Sequence, residues 1–274
     1  MASGAAKLIP SDPEKVMVIR KITPDIITCS TPFLRFGRIK VGGRGTIVRL
    51  ATGNLAVFSP VALTDTVKQE IASLGGKMGY IVALDQEHHI FLESYHKAYP
   101  EAKVLMPETL PKYREKQSYF QIPRDNEVLF YPNKKPEISP EFDADFDYEY
   151  VHAHGNKELV FNHRKSGTLI EADLLFNMPA TEQFSKTDLD PTTGLLTKLF
   201  NSLQHTRGAA LAQKRVIWYG LANPRPAFSE SMKKINGWSF DRIIPCHGDV
   251  IETGGKGIFE KIMEWHLQDG AKML

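Results

Sequence analysis

The sequence predicts an α/β fold, and three of its features do so. Between residues 45 and 106, short apolar runs alternate with segments of helical spacing, punctuated by Gly, Asn and Pro, the pattern of βαβ units. From Asp145 to His154 the residues alternate with period two, placing Phe146, Tyr148 and Tyr150 on one face together with His152 and His154. Several apolar strand candidates run straight into Asp, Glu or His, and strand ends are where α/β sheets carry their chemistry.

Taken in order, Thr46-Ile47-Val48 and Leu55-Ala56-Val57-Phe58, parted by Thr52-Gly53-Asn54, predict a hairpin. Val67, Ile71 and Leu74 keep helical spacing behind the capping residue Thr64, and Gly75-Gly76 supplies a left-handed stop. Residues 80–84 read as a buried strand, 90–99 as a helix ended by Pro100, and 103–106 as a short strand. Residues 107–140 are Pro-rich and charged, as in Pro132-Asn133-Lys134-Lys135-Pro136, and read as loops. Strands follow at 159–161 and 168–173. After a mixed stretch come the apolar run 216–219, a helix with Phe228, Met232 and Ile235 on one side, Ile243-Ile244-Pro245, and a C-terminal helix over 258–267.

The 274 residues are enough for one domain with a sizeable core, and 42% hydrophobic with 24% charged residues is ordinary for a globular protein. We expect a single domain over 1–274, with residues 1–29 as an N-terminal extension and 177–213 as a lid insertion. A net charge of +2 argues against nucleic acid or a membrane as partner and leaves a small molecule; oligomeric state stays open. Cys29 and Cys246 are too few for a disulfide framework, and the start Met-Ala-Ser-Gly-Ala-Ala-Lys lacks a leader's apolar core, so the expected address is the cytoplasm. There is no G-x-S-x-G, G-x-G-x-x-G, Walker loop or C-x-x-C, which disfavours serine hydrolases, dinucleotide enzymes and P-loop enzymes.

Four segments carry candidate chemistry. Asp85-Gln86-Glu87-His88-His89 lies where a strand gives way to a helix, offering oxygen and nitrogen ligands suited to zinc, iron or manganese, or else a helix cap. His152-Ala153-His154 is an H-x-H pair or two strand histidines. Asp173 closes an apolar strand and must be paired, capping or metal-bound if buried. In Pro245-Cys246-His247-Gly248, Gly permits a tight turn that presents the imidazole, while Cys246 reads as a small buried hydrophobe.

In this order the four segments resemble the metallo-β-lactamase superfamily. Gly45–Pro60, Tyr80–Pro107, Asn162–Asn177 and Asp241–Gly248 are similar to its group designated DUF4336. The resemblance implies an αββα sandwich of two mixed sheets flanked by helices. The superfamily's H-x-H-x-D-H motif falls on Ala83, Leu84, Asp85, Gln86, Glu87 and His88, so that only its last histidine is kept; Ser59-Pro60 replaces an early strand-end Asp. His154, Asp173 and His247 match later ligands. By resemblance, one metal position would have Asp85, His154 and Asp173, and the other, more complete, Glu87, His88, Asp173 and His247. One ion is the expectation, with two allowed.

The resemblance further implies hydrolysis of an ester, lactone, thioester or amide of a small apolar or aromatic molecule by a metal-bound hydroxide. Zinc is the first choice, with iron and manganese as alternatives. Asp85 or Glu87 would bind metal or accept the water's proton, with His89 behind the ligands. Substrate shape would come from the segment after Asp173, through Phe176, Met178, Phe184, Leu195, Leu196, Leu199 and Phe200. The spacing of Leu195, Leu199 and Leu203 suits core packing at least as well as a lid. The alternatives are a mononuclear iron oxidoreductase and a metal-free binding protein on the same fold.

Overall fold

The computed structural model describes residues 10–268 except Asn133; the reading of the N-terminus at residues 1–7 and the loop residue Asn133 lie outside them. The chain begins with α1 (Pro13–Val16), β1 (Val18–Thr23), β2 (Ile26–Thr31), β3 (Leu34–Arg35), β4 (Ile39–Lys40), β5 (Gly43–Arg49) and β6 (Leu55–Phe58). It continues through α2 (Asp65–Ser73), β7 (Met78–Val82), α3 (Leu92–Ala98), β8 (Lys103–Pro107), α4 (Leu110–Lys116) and β9 (Glu127–Phe130). The second half holds α5 (Pro140–Asp145), β10 (Phe146–Val151), β11 (Glu158–His163), β12 (Thr168–Ile170), α6 (Thr181–Phe184) and α7 (Leu195–Leu203). It ends with α8 (Leu211–Val216), α9 (Arg225–Asn236), β13 (Arg242–Ile244), α10 (Gly255–Ile262) and α11 (Glu264–Leu267).

One sheet has seven strands in the order β1-β2-β5-β6-β7-β8-β9; a second has four, β10-β11-β12-β13; β3 and β4 form a separate hairpin. The first sheet is antiparallel from β1 to β6 and parallel from β6 to β9, because α2, α3 and α4 or loops intervene between the later strands. Side-chain alternation sends Phe58, Val82, Phe161, Ile170 and Ile244 between the sheets, and Val57, Ile81, Leu169 and Ile243 outward beneath helices. Val67 and Ile71 of α2 and Leu92 and Tyr95 of α3 cover the first sheet; Phe228 and Met232 of α9 and Phe259 of α10 cover the second. The result is the four-layer αββα arrangement.

Several expectations meet differences. Residues 18–29 are not an appendage but supply β1 and most of β2, whose Ile26, Ile27 and Cys29 are buried. β10 stops at Val151, because His152 and His154 donate their backbone N–H groups to Tyr150 and Val151 in turns, so neither histidine shares the strand's face. The run 216–219 prolongs α8 into one π-helical turn, Ile217–Leu221. The leucines of α7 do not pack in the core: Leu195 is 84% and Leu199 55% exposed, while Thr197 and Asn201 face inward. Thr197 Oγ1 accepts the N–H of Lys40 and Asn201 Nδ2 donates to the carbonyl of Pro191, and these bonds fix the helix with its polar side in.

Candidate metal centre

Strand ends and the turns beyond them meet at one edge of the sandwich. The backbone of Leu159 donates to Leu84, and that of Gln86 to Asn156, so the end of β7 is tied to the turn between β10 and β11. Asp85, fully buried just past β7, accepts the backbone N–H groups of Glu87 (2.7 Å) and His88 (2.8 Å) through Oδ1. Both of its carboxylate oxygens also lie within 3.0 Å of His88 Nδ1. A carboxylate in this role caps the turn and fixes the imidazole with Nε2 directed away from it.

His247 follows β13 through Pro245 and Cys246. Its Nδ1 lies 2.7 Å from the carbonyl oxygen of Gly42, an acceptor only, so Nδ1 carries the proton. Its ring stacks on Phe176 at 5.2 Å with an interplanar angle of 5°. Gly248 takes φ +87°, and a Cβ there would meet the carbonyl oxygen of Asn177 at 2.3 Å, so the turn behind His247 admits only glycine. The fully buried Arg44 donates at 2.7 Å to each of the carbonyls of Pro245 and Gly248, while Gln183 donates to that of Cys246 and accepts the N–H of Gly248. The turn is thereby clamped from both sides.

Asp173 sits beyond β12. Its Oδ2 accepts Asn156 Nδ2 at 2.5 Å, and its Oδ1 lies 3.2 Å from His247 Nε2 without hydrogen-bond alignment. Glu158 accepts the N–H groups of Ala172 and Asp173, and Glu171 those of Leu174 and Leu175, which holds the turn in place. Burial pushes both glutamates well above the ordinary carboxylate range. Burial pushes Asp173 the same way, but the rings of His247, His88 and His154 outweigh it and hold that carboxyl low. His88 is desolvated, which disfavours its charge, yet Asp85 raises its pKa to about 9.

His88, Asp173 and His247 each offer a ligand atom, all within 4.8 Å of one another, and form a candidate metal site of two imidazoles and one carboxylate. The other expected residues take different places. Asp85 is engaged with His88. His154 is buried beside Asp173, with Nε2 lacking a hydrogen-bond partner and Nδ1 accepting the N–H of Asn156. Glu87 is exposed at the mouth and accepts the hydroxyl of Tyr113. His89 is turned away and receives Arg114 Nη1 at 2.9 Å; burial, reinforced by Arg114, lowers its pKa to about 4, so it does not support the ligands. Cys246 lies in the core between the sheets, and burial pushes its thiol far up.

Arg44, Asn156, Glu158 and Gln183 were not anticipated. The available signal was a lone Arg and a lone Glu inside strands otherwise buried, since such groups require partners. A cavity of about 130 Å³ opens at His88 and His247, walled by Phe33, Val61, Ile90 and Phe91. Most of its lining comes from residues 31–33, 59–62, 87–88 and 90–91, and none of the residues expected to shape the substrate, Phe176 to Phe200, is among it. Phe176, Met178 and Phe184 instead form a small core with Leu34 and Phe200.

Comparison with solved structures gives the same architecture. VMB-1 superposes with a TM-score of 0.60 at 12% identity, over 94% of this chain and 99% of that one. The flavodiiron core of Flv1 from Synechocystis sp. PCC6803 gives 0.60 at 10% identity, over 94% of this chain and 62% of that one. A metallo-β-lactamase from Hirschia baltica gives 0.56 at 11% identity, over 91% and 97%. No curated protein matches in sequence. Identities this low speak to fold alone, but the family described as "Domain of unknown function (DUF4336)" matches residues 34–218, and the chain belongs to that family, built on the metallo-β-lactamase fold.

Proposed function

We propose that the chain is a metal-dependent hydrolase using one ion held by His88, Asp173 and His247. The observation that carries this reading is the convergence of three ligand atoms: with both Nδ1 atoms committed as donors, the Nε2 atoms of His88 and His247 face each other beside Asp173 Oδ1. Such a gap is stable only with a cation or a proton in it. Asp173 Oδ1, buried without a hydrogen-bond partner, fits the same conclusion. A bound divalent ion supplies Lewis acidity and lowers the pKa of water.

The chain's own residues do the rest. Asp85 and Gly42 fix the two imidazoles, and Asn156 fixes Asp173. Glu87, whose carboxylate is not committed to a ligand, accepts the proton of the attacking water, a role closed to Asp85 by its four contacts. Phe33, Val61, Ile90 and Phe91 exclude water around an apolar or aromatic acyl group. The substrate class is a small ester, lactone, thioester or amide.

The test is metal content of the freshly purified chain, followed by assay on a panel of aryl esters and lactones. Wild type and His154→Ala are expected to hold about one ion, and His88→Ala and Asp173→Ala almost none. Metal absent from all four would overturn the reading. The donor set itself favours one second reading, a mononuclear iron oxidoreductase, because two imidazoles and one carboxylate suit iron(II) as well as zinc. Iron in anaerobically prepared protein, with oxygen consumption and no hydrolysis, would select it.

A further inference from the structure

Helix α7 is amphipathic but turned inside out. Leu195, Leu196, Leu199 and Leu203 face water, at 84%, 44%, 55% and 37% exposure, while Thr197 and Asn201 take the buried side. Large apolar side chains exposed together on one helix are uncommon on a monomer's free surface. The β3–β4 hairpin lies alongside, joined to α7 by the Lys40 N–H to Thr197 Oγ1 bond and by Leu34 and Phe200, which share one small core. At its tip Phe36 is 76% exposed and held at φ +53°, a left-handed conformation that costs a bulky residue energy.

The charge around this apolar face is mostly positive. The chain contains no Asp or Glu from residue 26 to 64, nor from 191 to 229, and these two stretches supply the hairpin and α7. Exposed Arg38, Lys198 and Arg207 and half-buried Arg35 lie on them. Exposed Asp188 and Asp190 precede the helix; Asp190 accepts Thr192 and lies within electrostatic reach of Lys40 and Lys198, so they offset only part of the basic charge. The overall charge of +2 hides this asymmetry.

We propose that this face docks on an anionic lipid surface, with Phe36 and the α7 leucines entering the headgroup boundary and Arg35, Arg38 and Lys198 meeting lipid phosphates. A second copy of the chain is disfavoured, because a two-fold contact would set these cations against their own copies. Leu195 and Phe36 are more than two-thirds exposed, which suits entry into a soft surface. No helix among the described residues is long and apolar enough to cross a membrane, so the association is peripheral. Phe200 of α7 touches Phe176, which stacks on His247, so docking would bring the metal centre close to the lipid; the proposal does not depend on the reaction performed there.

The test is co-sedimentation of the full chain with vesicles of phosphatidylcholine alone or mixed with phosphatidylglycerol, at low and high salt. Binding to the mixed vesicles only, weakened by salt, is expected. Arg38→Gln should lower the partition coefficient about fivefold, the worth of one cation near an anionic surface. Leu195→Ser with Leu199→Ser should lower it at least about tenfold. Melting temperature checks folding, and Leu195→Ser alone serves if the pair unfolds. Equal binding by wild type and variants, no binding to anionic vesicles, or a leucine-dependent dimer in lipid-free solution would each overturn the proposal.

Discussion

His88 and His247 face each other Nε2 to Nε2 at 3.1 Å, and each has its other ring nitrogen engaged, His88 by Asp85 and His247 by the carbonyl of Gly42. On the proposed reading, a proton and a metal ion would compete for this one gap. With a proton present, His88 donates to both Asp85 and His247, and the line from Asp85 to Gly42 is fully satisfied. A bound metal ion would be held by both nitrogens in place of that proton.

Asp85→Asn removes the charge that orients His88 while keeping its size. Metal affinity should fall about 10–100-fold, the usual effect of losing a group that supports a ligand. Competition with a chromophoric chelator measures this; unchanged affinity would show that Asp85 does not act through His88.

The pKa of about 9 for His88 gives a pH dependence with a definite sign. Below it the metal-free protein carries a proton that binding must displace, so affinity should rise about tenfold per pH unit up to about pH 9 and then level off. Stability of the metal-free protein runs the other way: a raised pKa contributes stability that is complete below the unfolded value of about 6.5 and is lost as pH rises through about 9. Isothermal titration and thermal melts of chelated protein across this range test both.

How much of this was legible in the sequence depended on whether the signal was local. The hairpin of β5 and β6 and the Thr64 cap of α2 are written in consecutive residues and are found, whereas Asp173 and His247 lie in turns three residues past the ends of β12 and β13. The inward side of α7 was not legible, because periodicity shows that a helix has an apolar face without saying where that face points. Arg44 was missed for a related reason: its partners Pro245 and Gly248 are backbone groups about 200 residues away. The altered motif predicted a reduced ligand set, but not that Asp85 would be committed to His88.

Arg44→Met should destabilise the fold by about 3 kcal/mol, since it strips two carbonyls and Glu182 of a buried partner. Metal affinity should fall with it, because the Pro245–Gly248 turn carries His247. Arg44→Lys restores charge but not the fork, and should recover stability more than affinity. Denaturant melts with and without metal separate the two effects.

Gly248→Ala tests the turn itself. The residue needs φ +87°, which costs an L-residue about 1–2 kcal/mol, and its Cβ would press on the carbonyl of Asn177 at 2.3 Å. Asn177 cannot yield freely, because its own carbonyl accepts Asp249 N–H and its side chain bonds to Thr206 and to the carbonyl of Asp249. The backbone at 247–248 must therefore move, and Nε2 of His247 moves away from His88 and Asp173. A loss of at least about 2 kcal/mol in stability, with metal affinity reduced more than about tenfold, is the expected outcome. Stability lost with affinity intact would mean that the turn supports the fold without aiming the ligand.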